Sequence, residues 1–260
     1  MNAVAISIIM PAYNAEATIS ESIQSVLSQT YGEWELIIID DCSTDHTPTI
    51  IKTFLATEQR ITYVRNEDNK GVAFSRNRGV SIARGELIAF LDADDLMTPN
   101  KLDEQIPFMF KHNAPITYTA STFMDAVGKK YHYILPVRFK LTYQELLGQN
   151  LMSCSSVIVK KEWLTKYPFP EQPNIHEDFV VWLRIVKEVG CAYGLNEPLL
   201  TYRLSATSKS ANRMTSAAMN YNVYRYIGYK PIGSAFMMLR YAVHSIKKRL
   251  LIQFNGQENP

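Results

Sequence analysis

The sequence predicts an α/β protein, a mostly parallel sheet flanked by helices, with a helical basic extension at its C-terminal end. Three observations predict it. Apolar, β-branched runs alternate with helically spaced segments through residues 1–100. Polar clusters stand just past the end of three of those runs. The charge is also split. Residues 1–197 hold 18 Lys/Arg and 24 Asp/Glu, a net of −6, whereas residues 198–260 hold 9 Lys/Arg and one acid, Glu258, a net of +8. An acidic, cation-handling body and a basic tail that meets something anionic follow from that split.

The elements follow in order. VAISIIM (4–10) is a strand: it is too short to span a bilayer and lacks the basic flank and cleavage site of a signal peptide. Residues 14–30 carry Ile19, Ile23, Val26 and Leu27 at helical spacing. ELIIID (35–40) is a strand. Thr47 to Thr57 is a helix with Pro48 in its first turn. ITYVR (61–65) is a strand, Val72 to Arg84 a helix with Gly85 as its C-cap, and ELIAFL (86–91) a strand. Such apolar strands between helices belong in a parallel sheet covered on both faces. PITYTA (115–120) and SSVIV (155–159) read as further strands, and Glu177 to Val189 as a largely apolar helix. Beyond Pro198, Ile232, Phe236, Leu239, Val243, Ile246 and Leu250 repeat at spacings of four and three. Arg240, His244, Lys247 and Lys248 form a second stripe, which makes an amphipathic basic helix.

A chain of 260 residues, 47% hydrophobic, can bury a substantial core. No run of 18 apolar residues occurs. Cys42, Cys154 and Cys191 are widely spaced and form no C-x-x-C pair, so free thiols and a reducing compartment are expected.

In open parallel sheets, sites lie past the carboxyl ends of the strands. Pro11-Ala-Tyr-Asn, Asp40-Asp41 and Asp92-Ala-Asp-Asp all fall there, so three clusters should converge on one crevice. Asp92 and Asp94, placed on one side by strand alternation, are hard oxygen ligands suited to Mg²⁺ or Mn²⁺ shared with substrate phosphates. The competing reading is capping of the next helix by Asp95 or Thr98. Asp41 reads either as a polar turn or as an acceptor for a base N–H or a ribose hydroxyl. Arg76, on a helix opening near Gly71, suits an anion; Arg78 and Arg84 read as a solvated basic face. Glu177 and Asp178 open a helix, where acids favour the dipole, and either could serve as a general base.

PAYN, WELIIIDDCSTD, NKGVAFSRNRG, GELIAFLDADD and HEDFVVWLRI, in that order and spacing, resemble the family 2 inverting glycosyltransferases of GT-A (Rossmann-like) fold. YTASTFMD, AYGLNEPLLTYR and SATSKS narrow the likeness to bacterial enzymes of the teichuronic-acid, O-antigen and capsule type. The resemblance implies a catalytic domain over residues 1–205, with a nucleotide-binding half (1–112) and an acceptor half (113–205), followed by the extension 206–260. It implies Pro11 and Tyr13 near the nucleotide base, Asp41 bonding the base, Arg76 by the nucleotide, and Asp92 at the ribose or the metal shell. It further implies Asp94 on a Mn²⁺ or Mg²⁺ that bridges the diphosphate, and Asp178 as catalytic base with Glu177 as its rival. The implied donor is a UDP-sugar and the implied acceptor a sugar on a polyprenyl diphosphate. The enzyme would then be cytoplasmic, peripheral on the inner face of the membrane. There the basic helix would meet anionic lipid, at roughly 1 kcal/mol per basic residue. That helix could equally pack on the body or form a dimer seam.

Other classes fare worse. A dinucleotide-dependent oxidoreductase needs G-x-G-x-x-G after the first strand, where PAYNAEAT stands. A nucleotidylyltransferase needs a glycine-rich phosphate loop near the start. No nucleic-acid-binding module is present. A non-catalytic sugar-nucleotide or scaffold protein would not need Asp94 and Asp178 together.

Overall fold

The sequence ISIIMPA makes β1 (Ile6–Ala12), a strand buried at every position. WELIIID makes β2 (Trp34–Asp40), buried at every position likewise. Both have helices over their two faces, which is why neither shows an in/out alternation of polarity. In the computed structural model, which describes residues 4–204 and 213–242, the order between and beyond them is regular. It runs α1 (Ile19–Leu27), α2 (Thr47–Leu55), β3 (Ile61–Arg65), α3 (Val72–Ile82), β4 (Leu87–Phe90) and the short β5 (Leu96–Met97). Next come α4 (Lys101–Lys111), β6 (Ile116–Met124), β7 (Lys130–Leu135), β8 (Lys140–Thr142), α5 (Tyr143–Gly148), β9 (Ile158–Lys160) and α6 (Lys161–Lys166). The chain continues through α7 (Glu177–Val189), β10 (Cys191–Arg203) and α8 (Arg213–Tyr226), and is helical again over 231–242.

One sheet carries all ten strands in the order β3-β2-β1-β4-β9-β6-β10-β5, with β7 beside β6 and β8 beside β10. β3, β2, β1 and β4 are parallel, with Ile6 opposite both Trp34 and Leu87. β9 enters antiparallel between β4 and β6, and β6 pairs parallel with β10 over the longest ladder. Side chains alternate between two cores. Ile8, Met10, Leu36 and Ile38 pack with α1, α2 and α4, while Ile9, Ile37 and Ile39 share a core with α3, α5, α6, α7 and α8.

Three expectations change. The first helix begins at Ile19, not Asn14, because residues 14–16 are tied to the 43–47 loop instead; the Ala15 N–H donates to Thr47 Oγ1 at 2.8 Å. Gly85 is not a C-cap: α3 ends at Ala83 in extended conformation, and a Cβ at Gly85 would stand 2.7 Å from the Ser7 backbone nitrogen. The expected strand 155–159 begins only at Ile158, after a 3₁₀ turn over Cys154–Ser156.

The C-terminal helix packs by a face other than its apolar stripe. Ser234 and Met237 are buried and Tyr241 meets Phe179 at 5.9 Å, while Ile232, Phe236 and Leu239 are 88%, 67% and 64% exposed. Val243, Ile246, Leu250, His244, Lys247 and Lys248, and the SATSKS stretch, lie outside the described residues. All three cysteines are free. Among the described residues, no helix is long and apolar enough to cross a membrane.

Candidate active site

The ends of β2, β1 and β4 lie side by side, so their loops share one crevice. Pro11 is buried within β1, and Tyr13, just beyond it, is half exposed. Asp41 follows β2, and its buried carboxylate collects three N–H donors. Asn66 Nδ2 and the Lys70 backbone reach Oδ1 at 2.7 and 2.9 Å, and the Gly71 backbone reaches Oδ2 at 2.7 Å. Asp41 thus fixes the loop that opens α3. Gly71 sits there at φ +87°, a conformation natural to glycine. Asp40 is taken up by Ser43, Tyr63 and Arg65.

The three aspartates after β4 have three different surroundings. β4 ends at Phe90, so strand alternation does not place them; a turn does, closed by the Asp95 N–H to the Asp92 carbonyl at 3.0 Å. Asp95 is buried and accepts from Ser155 Oγ at 2.6 Å and from the Arg203 N–H at 3.0 Å. It therefore caps no helix, and neither does Thr98: α4 starts after Asn100 without a side-chain cap, and Thr98 Oγ1 donates to Asn100 Oδ1. Burial, then the nearby charge of Asp92, raises the Asp94 carboxyl to about 6. Two carboxylates crowded at one turn are chemically suited to a hard divalent cation. Among the described residues no third His, Cys, Asp or Glu completes a metal site with them.

Arg203 ends β10 and pins this turn from the far side. Its Nε donates to the Asp94 carbonyl at 2.9 Å and its Nη2 to Glu21 Oε2 at 2.6 Å. The sequence reading missed Arg203; the only trace was an arginine closing the apolar run LLTY.

Arg76 joins the two halves of the crevice. Its guanidinium is buried on α3, with Nη2 2.7 Å from Asp92 Oδ1 and Nη1 2.7 Å from Glu177 Oε1. Its Nε is buried without a partner. Glu177 and Asp178 begin α7 side by side, yet they differ in what engages them. Glu177 is buried against Arg76. Asp178 is half-buried; its Oδ1 accepts the Phe179 N–H at 2.7 Å, and its Oδ2 has one long bond from Asn150 Nδ2 at 3.4 Å. Burial, then the charge of Glu177, raises the Asp178 carboxyl above the usual aspartate range. A weakly engaged carboxylate of raised basicity can accept a proton.

The structure thus brings Arg76, Asp92, Glu177 and Asp178 together, with Asp94 two residues on. It groups Pro11, Tyr13 and Asp41 at the ends of β1 and β2. Arg78 and Arg84 are not simply solvated: Arg78 Nη1 bonds Asn66, and Arg84 Nε pairs with Glu35 at 2.8 Å. Helix α8, also unread in the sequence, leans on the loop before α7. Asn222 Nδ2 donates to the Asn174 carbonyl at 2.8 Å, and Ser216 Oγ lies 3.3 Å from His176 Nε2.

A mostly parallel α/β sheet with carboxylates and an arginine gathered past its strand ends places a ligand site at that crevice. The glycosyl transferase family 2 profile matches residues 7–166, and the chain belongs to that family and is a glycosyltransferase. It is 35% identical over 94% of its length to TuaG of Bacillus subtilis, a chain named for teichuronic acid biosynthesis, of which it covers 97%. It is 36% identical over 97% of its length to WfgD of Escherichia coli, named UDP-Glc:alpha-D-GlcNAc-diphosphoundecaprenol beta-1,3-glucosyltransferase, of which it covers 98%. The fold is that of the S. aureus TarS 1-349 crystal structure in complex with UDP-GlcNAc, at TM-score 0.70 and 19% identity, over 90% of this chain and 70% of that one. The architecture is accordingly GT-A.

Proposed function

We propose that the protein transfers a hexose (glucose, galactose or an N-acetylated analogue) from a UDP-sugar to a sugar carried on a polyprenyl diphosphate, inverting to a β-linkage, in synthesis of a bacterial surface polysaccharide such as an O-antigen or capsule. One observation carries the reading: a single guanidinium, Arg76, joins Asp92 at the donor-side strand end to Glu177 beside Asp178. The similarity to WfgD along nearly all of both chains supports the donor and acceptor classes.

On this reading residues 1–112 hold the nucleotide and 113–205 the acceptor. Pro11 and Tyr13 pack near the base, and Asp41 accepts a base N–H beside its three internal donors. Asp92 and Asp94 would hold a Mn²⁺ or Mg²⁺, which would supply charge stabilisation to the leaving nucleoside diphosphate. Asp178 removes the proton of an acceptor hydroxyl as that oxygen bonds the anomeric carbon from the face opposite the leaving UDP. Inversion follows from that single displacement. The pairing of Glu177 with Arg76 favours Asp178 over Glu177 as the base. Arg76 acts by holding Asp92 and Glu177 in place.

The extension 206–260 docks the enzyme on the inner face of the cytoplasmic membrane. The exposed stripe Ile232, Phe236 and Leu239 enters the lipid boundary, flanked by Lys230 and Arg240.

The test supplies a panel of UDP-sugars, Mn²⁺ or Mg²⁺ and a synthetic GlcNAc-diphosphate-lipid to wild type, Asp94→Ala and Asp178→Asn. Metal-dependent transfer from one donor, lost in both variants, is expected. UDP binding without turnover of any donor would instead favour a sugar-nucleotide-binding protein.

A further inference from the structure

Beside the first turn of α7 lies a pocket of about 370 Å³, walled by residues 69–73, residues 171–175, Glu177 and the α8 residues Thr215 and Met219. We propose that this pocket is the acceptor-sugar subsite, and that α8 selects the sugar it admits. The inference rests on the glycosyltransferase reading above and adds the place and the selector of the acceptor.

Position is the first argument. A general base must come within hydrogen-bond reach of the proton it removes. Glu177 forms part of the pocket wall and Asp178, the next residue on α7, lies outside that wall, so the proposal seats the acceptor ring in the pocket with its reacting hydroxyl extending past Glu177 toward Asp178. The donor side is reached from the same wall through Glu177, Arg76 and Asp92.

Chemistry is the second. Asn69, Gln172, Asn174 and Thr215 offer amide and hydroxyl groups, and Ile175 and Met219 offer apolar surface. Amides and hydroxyls bond ring hydroxyls, and an apolar wall covers the C–H face of a pyranose. Lys70 pairs with Asp68 at 2.9 Å and Glu177 with Arg76, while among the described residues the carboxylate of Glu171 accepts only the neutral Asn77 Nδ2 at 2.9 Å and leaves the wall negative. That favours a neutral hexose or N-acetylhexosamine over a diphosphate. The volume sits at the small end of ligand pockets, which run from roughly 300 to 1,000 Å³, so it suits one ring.

Chain position is the third. The family profile ends at residue 166, and the loop 171–175 and α8 lie beyond it. The loop 171–175 and α8 also carry none of the motifs PAYN, WELIIIDDCSTD, NKGVAFSRNRG, GELIAFLDADD or HEDFVVWLRI, so members can differ in acceptor there. α8 also holds the loop in shape, since the Asn174 carbonyl is bonded by Asn222.

Thr215→Trp fills the pocket from an exposed helix position. Asn174→Gly removes an amide while keeping the φ of +56° that a glycine accepts. With a GlcNAc-diphosphate-alkyl acceptor, the KM for acceptor should rise about tenfold or more in Thr215→Trp and several-fold in Asn174→Gly. Affinity for UDP by calorimetry, and metal-dependent hydrolysis of donor, should stay within about twofold of wild type. An equal fall in UDP affinity would assign the pocket to the donor and overturn the proposal. So would an unchanged acceptor KM. Saturation-transfer NMR with the acceptor alone separates this inference from the activity itself. Acceptor signals present in wild type and lost in Thr215→Trp support the pocket even if no transfer occurs, and signals unchanged in the variant, or absent in wild type, overturn it.

Discussion

Arg76 Nη1 lies 2.7 Å from Glu177 Oε1, although 101 positions separate the two residues in the chain. The other arm of the same guanidinium reaches Asp92 at the same distance. One buried cation therefore fixes the spacing between the end of β4 and the start of α7, which the proposed function assigns to the donor and acceptor sides of the crevice. Removing one member of a buried ion pair strands the other, which costs about 3–5 kcal/mol. Arg76→Ala should lower the urea unfolding free energy by that order. Arg76→Lys cannot fork to both carboxylates. It should fold, yet lose roughly 100-fold in kcat/KM through misplacement of the two carboxylates. Retained activity in Arg76→Lys would show that the spacing is set elsewhere.

The different surroundings of Glu177 and Asp178 give them separable phenotypes. Asp178→Asn should lose about 10²–10⁴ in kcat with UDP affinity unchanged, the range of a missing general base. Glu177→Gln should act mainly on stability and cost less in rate. A base must be ionised to work, so rate falls as pH drops through its pKa. The acid limb should lie above the usual aspartate value of 3.8, because burial and then Glu177 raise the Asp178 pKa. Glu177→Gln removes the repelling charge, so its acid limb should move to lower pH. A limb that stays in place in Glu177→Gln would refute the coupling.

On the proposed reading a divalent cation would relieve the raised proton affinity of Asp94. With Mn²⁺ present, Asp94→Ala should bind UDP at least about tenfold more weakly than wild type. With a chelator present, the two proteins should bind UDP alike. A gap that persists in chelator would mean that Asp94 contacts the nucleotide directly.

Much of this was legible because it is local. The spans of β2, β3 and α7 follow from apolar runs bounded by turn residues and caps, and the converging polar clusters follow from strand–helix alternation. What was not legible depends on distant partners. Asp95 reads as a helix cap until Ser155 and Arg203, 60 and 108 positions away, take both its oxygens. Gly85 reads as a C-cap until the β1 backbone is found against it. The strand β10 is 13 residues long but is broken by register shifts around Pro198, so its pattern resembles a loop. The stripe of the last helix was legible as amphipathic, yet the pattern did not say that its inward face would be Ser234, Met237 and Tyr241.

Lys101 supplies a pH dependence of stability independent of catalysis. It is fully buried on α4, and its Nζ donates to Gln105 Oε1 at 2.5 Å and to the Ser156 carbonyl at 3.2 Å, both neutral acceptors. Burial pushes its pKa down to about 7 from an ordinary 10.5. Below pH 7 the folded and unfolded chains both carry the proton, and the full cost of burying the charge is present. Between 7 and 10.5 the unfolded chain holds a proton that the folded chain has released, so this group makes stability rise with pH across that window. Lys101→Met removes the titration and strands one Gln105 oxygen, a cost that does not vary with pH. Subtracting the variant's unfolding free energy from that of wild type at pH 7, 8 and 9 cancels groups common to both. These include the buried tyrosines, which titrate higher. The difference should climb toward wild type by about 1.4 kcal/mol per pH unit in the middle of the window, the value for one linked proton. A flat difference would mean that Lys101 keeps its charge in the folded protein, with Gln105 and Ser156 stabilising the ammonium well enough to outweigh its burial.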